Sequence, residues 1–523
     1  MTDFKNLGDL IPRGRDLAKL AMIDLGGEEG QRRFSFAEID AMANGVARSL
    51  AGRGFERGSR VALLSSNRAE YLAAYYGIMR AGLVAVPVNF KFPRETIHFI
   101  LRDADARLVF CDAARAADCP PNLPLVRFGG AAISPAQEEE SKTAPQSFAA
   151  FLDPGSFETI VPGPNEPAMF LYTSGSTGVP KGVMLSHRSH IWVVETRLAP
   201  GLDGHRYLIA APLYHMNALA LSKLACAAYA TIVLLPQFSA RAYADAIDRY
   251  RCTFLTAVPP MIAMMLRERE LLARTDLSSV EVVRMGSAPV SASLMAGLRA
   301  ALPQAAVTNA YGTTEAGPVV FGQHPRGLPQ PELSVGYPHP TVSLRLVDGD
   351  NRGAGQGVLQ MKCPALMLGY HNRPDLASPI TADGFYITGD IFRRDGDGFF
   401  YFVGRADDMF ISGGENIYPA DVERMLERHP DVAQAAVVPI DDEIKGQKPV
   451  AFVIRNPGCA LDVETVKRFA LEHAPAYQHP RFVFFVDEFP LASTNKLDRA
   501  ALKRMAEEKL ASSEIPQHYP RNS

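Results

Sequence analysis

The chain has 523 residues, which is too long for one compact core and predicts several structural units. Its 47% hydrophobic and 21% charged residues are typical of globular proteins. The near balance of 54 Lys and Arg against 57 Asp and Glu argues against a broad basic surface for nucleic acid or an acidic membrane, so an anionic ligand must be recognised locally.

Neither the cysteines nor the first residues indicate export. The six cysteines lack the close paired spacing of zinc sites or redox motifs, and residues 1–6 contain no apolar signal segment. Residues 224–240 carry no formal charge, but they fall short of the ~20 apolar residues that a membrane span needs. We expect a buried helix there, followed by a strand over 231–235, in a cytoplasmic protein without a transmembrane segment.

The first third of the chain alternates between helix and strand, which is typical of a parallel sheet covered by helices. Residues 113–150 interrupt this pattern. They are rich in Ala, Pro and Ser and contain the acidic run 138–140, so we expect a long surface excursion. The predicted helices are 36–50 and 70–81, and the predicted strands are 60–64, 83–88 and 108–110.

Residues 172–183 read Tyr-Thr-Ser-Gly-Ser-Thr-Gly-Val-Pro-Lys-Gly-Val and are typical of a loop that handles phosphate. The glycines let main-chain N–H groups approach an anion closely, and the hydroxyls and Lys181 add donors and a positive charge. Apolar runs at 168–171 and 183–185 enter and leave the loop, which argues against a flexible surface loop. It is not a Walker A motif, because Lys181 is followed by Gly182 rather than Ser or Thr.

The pattern changes twice in the second half of the chain. Asp/Gly turns such as 395–398 separate short strands beyond residue 343 and predict a β-rich module that closes an α/β domain. A helix beginning at Pro419 then opens a third region, so we place a boundary between about 403 and 409. The predicted strands are 207–210, 254–258, 280–283, 343–346, 358–361, 385–387, 399–403, 435–439 and 450–454, and another helix begins at Val463.

Five collinear motifs carry a family resemblance over essentially the whole chain. They are Tyr-Thr-Ser-Gly-Ser-Thr-Gly-Val-Pro-Lys-Gly (172–182), Tyr-Gly-Thr-Thr-Glu (311–315), Tyr-Ile-Thr-Gly-Asp (386–390), Gly-Arg-Ala-Asp-Asp (404–408) and Asn495-Lys496. In order and spacing they resemble the class I adenylate-forming superfamily, in its acyl-CoA synthetase and aryl-CoA ligase branch. The resemblance implies an α/β adenylation domain over 1–403 with layered sheets and a β-rich module, a hinge over 404–408, and a small mobile α+β domain over 409–523.

The resemblance also implies roles for residues of a nucleotide site. Glu315 matches a magnesium-binding glutamate, and Thr314, Lys181 and Lys496 join it as catalytic residues. Asp390 is expected to accept hydrogen bonds from ribose hydroxyls, Arg405 to contact the nucleotide, and Asp407 to act as the hinge. The remaining expected nucleotide contacts are Thr173, Ser174, Gly175, Ser176, Thr177, Gly178, Gly286, Ser287, Ala288, Pro289, Asn309, Ala310, Tyr311 and Gly312.

Further matches concern coenzyme A and the acid. Gly413 and Gly414 resemble the motif that lets a pantetheine arm pass the backbone, and Lys91 and Arg481 would lie near the CoA nucleotide. Arg284 is expected either to face a second polar or anionic end of the acid or to lie on a strand surface. The other candidates for the acyl pocket are Trp192, His215, Met216, Asn217, Ala310 and Pro318.

The implied reaction has two steps and uses ATP, Mg²⁺, a small carboxylic acid and coenzyme A. The carboxylate attacks the α-phosphorus to give acyl-AMP and pyrophosphate, and a thiol then displaces AMP. A monomer or homodimer is expected. An enzyme that loads a carrier protein is an alternative, as is a catalytically silent nucleotide-binding protein. The joint presence of Lys181, Glu315, Asp390, Arg405 and Lys496 argues against the silent protein.

Overall fold

The protein is seen in a computed structural model that describes residues 4–27, 30–129, 146–174, 179–492 and 497–512. Its strands are β1 Leu20–Gly27, β2 Gly30–Ser35, β3 Arg60–Leu64, β4 Val84–Pro87, β5 Ala106–Asp112, β6 Leu125–Phe128, β7 Gln146–Ser147, β8 Pro167–Ser174, β9 Pro180–Ser186, β10 Arg206–Ile209, β11 Thr231–Leu234, β12 Phe254–Ala257, β13 Val282–Gly286, β14 Ala306–Ala310, β15 Phe321–Gly322, β16 Tyr337–Pro338, β17 Ser343–Asp348, β18 Asn351–Arg352, β19 Gln356–Lys362, β20 Gly369–Tyr370, β21 Tyr386–Arg394, β22 Phe400–Arg405, β23 Phe410–Ser412, β24 Glu415–Ile417, β25 Val432–Asp442, β26 Gly446–Arg455 and β27 Phe482–Phe485.

The helices follow the same chain order. They are α1 Phe36–Gly52, α2 Ala69–Arg80, α3 Arg94–Asp103, α4 Phe148–Phe151, α5 His187–Glu195, α6 Met216–Ala227, α7 Ala240–Tyr250, α8 Pro259–Arg267, α9 Arg269–Leu272, α10 Ala292–Ala301, α11 Pro419–Leu426, α12 Val463–His473 and α13 Arg499–Ala511. Short 3₁₀ turns lie at Ala113–Asp118, Leu202–Gly204 and Ala476–Gln478.

Two large sheets dominate the first part of the chain. One has the order β14-β13-β12-β10-β11-β1-β2 and is parallel except for the β1–β2 pair. The other has the order β20-β9-β8-β4-β3-β5-β6-β7, with antiparallel pairing only along β20-β9-β8. The predicted α/β class is confirmed.

Helices α1 and α2 pack against each other in the largest part of the core. Helix α1 begins at a capping box in which Ser35 and Glu38 satisfy each other's backbone N–H groups. Every residue of α2 is buried, including Arg80. Its guanidinium is paired with Asp40 at 2.7 Å and donates to Asn44 Oδ1 at 2.7 Å, which explains how the core accommodates a charge.

The expected surface excursion over 113–150 is wrong for the parts of it that the structure describes around β6 and β7. Strand β6 extends the sheet beside β5, and β7 pairs with β6. Phe128 and Phe148 are buried against Phe110 with ring centroids 5.8 and 6.1 Å from it. Burial of these rings outweighs the polar composition of the segment. The acidic run 138–140 lies outside the described residues.

Three smaller sheets complete the described part of the chain, the first being the antiparallel pair β15–β16. The predicted β-rich module is an antiparallel sheet of order β18-β17-β19-β21-β22, and the last sheet is built around the β25–β26 hairpin. Pro419 begins α11 as predicted, and Val422, Met425 and Leu426 on that helix are buried. Residues 404–408 comprise the end of β22 and the start of the connection to β23. The hinge itself stays a prediction.

In the described part of the chain, no helix combines the length and apolarity needed to cross a membrane. The uncharged stretch 224–240 contains the end of α6 and the strand β11, as expected. Both elements are buried.

Candidate active site

A cavity of about 1640 Å³ lies where the two parallel sheets meet the β-rich module and the last sheet. Its wall includes Thr256, Gly286 and Ala310, which lie at or near the carboxyl ends of β12, β13 and β14. The carboxyl ends of parallel strands are the usual place for a ligand in such sheets, because the loops that follow them leave a crevice. This cavity is therefore the candidate active site.

The β8–β9 hairpin brings Thr173 and Lys181 to the cavity wall. These two residues are register partners in the antiparallel pair, so they lie side by side. Lys181 Nζ lies 5.5 Å from the ring centroid of Tyr370, which keeps the ammonium at the cavity wall. Gly175, Ser176, Thr177 and Gly178 lie outside the described residues, as does the side chain of Ser174.

The turn after β14 places Thr314 and Glu315 on the same wall. Gly312 is needed there, since a Cβ would lie 2.7 Å from the carbonyl oxygen of Gly317. Tyr370 donates a hydrogen bond of 3.1 Å from its phenol to Glu315 Oε1. The hairpin and the turn therefore meet through Tyr370.

Asp390 stands at the centre of a second polar group. Its carboxylate accepts hydrogen bonds from the phenol of Tyr311 and, at 3.0 Å, from Arg405 Nη1. Arg405 also donates to Asp407 at 3.0 Å, and although burial opposes its charge, the carboxylates of Asp390 and Asp407 raise the pKa of Arg405. An ionised carboxylate only accepts hydrogen bonds, which suits Asp390 to bind hydroxyl donors such as a pair of vicinal hydroxyls.

A more apolar compartment extends from the ends of β12 and β13 toward α6. Gly286 permits the close approach of the chains there, because a Cβ would lie 2.8 Å from the carbonyl oxygen of Ala310. His215 precedes α6 and packs edge-on against Tyr214, with ring centroids 4.6 Å apart. Asn217 accepts a hydrogen bond of 2.8 Å from Thr256. Met216, Ser287, Ala288, Pro289, Asn309, Arg284 and Pro318 also line the cavity.

Comparisons with known proteins agree with this geometry. Residues 14–371 match the family model described as AMP-binding enzyme, and residues 421–496 match the model of the AMP-binding enzyme C-terminal domain. The chain belongs to the AMP-binding enzyme family. The resemblance to the class I adenylate-forming superfamily is thereby confirmed.

Relatives of this AMP-binding enzyme match over almost their full length. It is 32% identical to 4-coumarate–CoA ligase 2 of Oryza sativa subsp. japonica over 90% of this chain and 87% of that protein. It is 31% identical to the fatty acid–[acyl-carrier-protein] ligase ScoC of Streptomyces coeruleorubidus over 90% of this chain and 91% of that protein. The solved structure of the anthranilate CoA ligase AuaEII with anthranoyl-AMP has a TM-score of 0.84 and 25% identity, covering 98% of this chain and 99% of that one.

The other residues expected in the site of this AMP-binding enzyme fall in different places, some of them outside the cavity. Trp192 packs in a neighbouring core, edge-on to His339 with ring centroids 6.3 Å apart. Gly413 and Gly414 form the turn of the β23–β24 hairpin and do not line the cavity. Arg481, just before β27, does not line it either. Lys91 is exposed at the cavity edge. Lys496 lies outside the described residues, but Ala492 and Leu497 on either side of that gap line the cavity.

Three polar residues in or beneath the cavity wall of the AMP-binding enzyme were missed by the sequence reasoning. Tyr370 carries no signal in the sequence, because its contacts with Glu315 and Lys181 are long-range. Arg197 follows the end of α5 and lines the cavity. Lys223 is the one charged residue of α6 and is fully buried, and a single charge in an apolar helix is a usable signal for a buried polar site.

Proposed function

We propose that this AMP-binding enzyme is an ATP-dependent carboxylic acid–CoA ligase. It joins a small carboxylic acid to AMP with release of pyrophosphate, and then transfers the acyl group to the thiol of coenzyme A with release of AMP. The observation that carries this proposal is one continuous cavity. The cavity combines three features: the carboxylate of Asp390, which can accept hydroxyl donors; the Lys181 ammonium and the Glu315 carboxylate, which both contact Tyr370; and the compartment beside His215.

In the first step we assign the nucleotide to the wall between Gly286 and Asp390. Asp390 accepts the ribose hydroxyls, and Tyr311 packs against the adenine. The carboxylate of the acid, already ionised at neutral pH, attacks the α-phosphorus, and the bond to the pyrophosphate oxygen breaks with its electron pair. Lys181, Thr314 and Lys496 stabilise the charge that develops on the phosphate oxygens. No general base is needed.

In the second step the thiol sulfur of coenzyme A attacks the acyl carbon, and the bond to the AMP oxygen breaks. The thiol loses its proton to solvent. Because Gly413, Gly414 and Arg481 do not line the cavity, while Ala492 and Leu497 do, the described arrangement suits the first step. We infer that the last domain, 409–523, rotates about Asp407 to bring the β23–β24 hairpin to the acyl-AMP.

Glu315 fits the Mg²⁺ that this chemistry uses. No group of three or more His, Cys, Asp or Glu side chains suited to a metal is present in the described ranges, but Mg²⁺ is commonly held by one or two carboxylates together with substrate phosphates. Bound there, the ion would neutralise charge on the phosphates. Tyr370 would hold the Glu315 carboxylate in place for it. All six cysteines are free thiols, which is consistent with the proposed cytoplasmic location. We also propose that the enzyme is a monomer or a homodimer.

The test is product formation with the purified full-length chain. Incubation with ATP, Mg²⁺, coenzyme A and a panel of carboxylic acids should release pyrophosphate and AMP and give acyl-CoA, detected by mass spectrometry. ATP binding with no pyrophosphate release for any acid would refute the ligase. Acyl-AMP, trapped as a hydroxamate, without consumption of coenzyme A would refute the acceptor.

A carrier protein is the second candidate acceptor, because the relative ScoC is named a fatty acid–[acyl-carrier-protein] ligase. The two acceptors carry the same pantetheine thiol and differ in what surrounds it. Adding a phosphopantetheinylated carrier protein in place of coenzyme A separates them. Faster acyl transfer to the carrier protein than to free coenzyme A would favour this candidate.

A further inference from the structure

Three basic side chains meet at one end of the acyl compartment. We call Arg197, Lys223 and Arg284 the cationic cluster. Arg197 and Arg284 line the cavity, and Lys223 lies fully buried beneath the wall on α6. Arg284 Nη2 donates 3.1 Å to the carbonyl oxygen of Pro318, and Lys223 Nζ lies 3.4 Å from Nδ1 of the buried His190.

No carboxylate neutralises this cluster within the ranges that the structure describes. None of the three residues forms an ion pair there, and no described residue forms a hydrogen bond with the Arg197 guanidinium. Tyr207, buried beside Arg197, also leaves its hydroxyl without a described partner. Two guanidinium groups that line the cavity without a carboxylate partner, above a buried lysine, indicate a site suited to an anion.

The electrostatics of the cluster agree with its geometry. Burial, followed by the charge of Arg284, lowers the pKa of Arg197 to about 9. Burial, followed by the charge of Arg197, lowers the pKa of Lys223 to about 7. The positive charge of each residue therefore disfavours protonation of its neighbour, and an anion bound among them would relieve this repulsion.

The cluster lies within reach of the reacting end of the acid. Arg284 and Gly286 are two residues apart on β13, so their side-chain positions share one face of the sheet, and their Cα atoms lie roughly 7 Å apart at about 3.3 Å per residue. Thr256, the register partner of Arg284 on β12, bonds Asn217 of α6 on that face. The acyl compartment thus runs from Gly286 toward the cluster.

We propose that the acid activated by this enzyme carries a second anionic group, as a dicarboxylic acid does, and that Arg197 and Arg284 bind it. This inference rests on the proposed ligase function and names its substrate class. A planar guanidinium can bind a carboxylate through two parallel hydrogen bonds, and a bound anion would favour the protonated form of Lys223, which then adds positive potential from below. Selection follows, because an uncharged chain end would displace water from the two guanidinium groups without supplying a carboxylate to pair with them.

The experiment compares each dicarboxylic acid with its own monomethyl ester. The ester keeps one reactive carboxylate and the same carbon chain but lacks the second charge. We expect the diacid to have the higher kcat/KM for pyrophosphate release, on the order of 100-fold, at the best chain length among straight-chain and aromatic diacids. Equal kcat/KM values for diacid and ester at every length would overturn the proposal.

Variants test the assignment of the residues. Arg284→Met and Arg197→Met should each lower the ratio of kcat/KM for the diacid to kcat/KM for the ester on the order of 100-fold, and Arg284→Lys should retain part of the diacid activity. Arg241→Met, at an exposed position on α7, is the matched control and should change neither. Equal losses with diacid and ester in the cluster variants would contradict anion recognition.

A binding measurement separates this proposal from the proposed function. Without ATP, the diacid should raise the melting temperature of the wild type more than the ester does, and Arg284→Met should remove the difference. Such selective binding without pyrophosphate release would support the anion site and refute the ligase. Conversion of monocarboxylic acids and esters to acyl-CoA as readily as diacids would support the ligase and refute the anion site. Neither binding nor turnover would refute both.

Discussion

Tyr370 donates a hydrogen bond of 3.1 Å to the Glu315 carboxylate across 55 residues of sequence, and its ring lies 5.5 Å from Lys181 Nζ. Burial and the nearby Glu315 carboxylate raise the pKa of the phenol, so Tyr370 stays protonated and acts as a donor. One side chain thus fixes the orientation of the carboxylate assigned to Mg²⁺ and contacts the lysine of the β8–β9 hairpin.

Replacing Tyr370 by Phe should weaken Mg²⁺ use. The variant keeps the ring beside Lys181 but removes the donor to Glu315, and a hydrogen bond to a charged group contributes about 1.5–3 kcal/mol. We expect the Mg²⁺ concentration for half-maximal pyrophosphate release to rise about 10-fold or more. The control is Tyr250→Phe, whose phenol donates to Gln31 away from the cavity. An unchanged Mg²⁺ dependence in Tyr370→Phe would refute the role assigned to this hydrogen bond.

Lys496→Ala should separate the two half-reactions. If Lys496 stabilises charge on the phosphate during adenylation only, its loss should slow acyl-AMP formation on the order of 100-fold or more. Formation of acyl-CoA from supplied acyl-AMP should stay near the wild-type rate. Single-turnover assays of each step measure both, with Lys503→Ala on α13 as the control. Equal loss in both steps would contradict the domain rotation.

Gly414→Val should have the opposite signature. Gly414 has a φ of +89° and a Cβ there would meet open space, so valine strains the backbone without a clash and adds bulk to the β23–β24 turn. We expect slower acyl transfer to coenzyme A, by about 10-fold, with unchanged adenylation, because the added bulk meets the pantetheine arm only when the turn enters the site, and roughly 1.4 kcal/mol of hindrance there corresponds to that factor. Gly458→Val is a matched control, because Gly458 has a φ of +81° and open space in another turn of the same region. Slowed adenylation in Gly414→Val would count against this assignment.

The sequence could predict those parts of the site that depend on short contiguous patterns. Four residues of the site lie in or beside strands whose apolar runs can be recognised in the sequence: Gly286, Tyr311, Asp390 and Arg405. The collinear motifs imply, through the family resemblance, which strand ends share a cavity. The structure brings all four to one wall. Local pattern is sufficient there because each residue is positioned by its own strand.

Other residues are placed by long-range packing that a single sequence does not express. Tyr370 reaches Glu315 because β20 pairs with β9, which is distant in sequence. Trp192 lies on α5, whose pattern gives no reason to choose between the cavity and the core beside His339. Phe128 joins the core although its surroundings are rich in small and polar residues. In each case burial against a distant partner decides the position.

Glu427 makes the stability of the enzyme depend on pH in a defined direction. Burial, more than the neighbouring Glu423 carboxylate, raises the pKa of Glu427 to about 8, although the Ala435 N–H donates 3.1 Å to its carboxyl oxygen. In the unfolded chain the group ionises near its ordinary pKa of about 4.3. Between these values the folded state retains a proton that the unfolded state has lost. The contribution of Glu427 to the free energy of unfolding therefore falls as pH rises from about 4.3 to about 8.

Glu427→Gln should remove this dependence, because an amide keeps the oxygen that accepts from Ala435 and never ionises. Urea unfolding at pH 5 and pH 8.5 measures the difference. At pH 5 we expect the variant and the wild type to have similar free energies of unfolding. At pH 8.5 the variant should be the more stable protein, because folded wild-type Glu427 must then either carry a buried charge or hold a proton that the unfolded chain has released. Glu464→Gln, on the exposed face of α12, should follow the wild type at both pH values. If the wild type and the Glu427→Gln variant lost the same free energy of unfolding between the two pH values, Glu427 would have its ordinary pKa in the folded protein, and the prediction would be wrong.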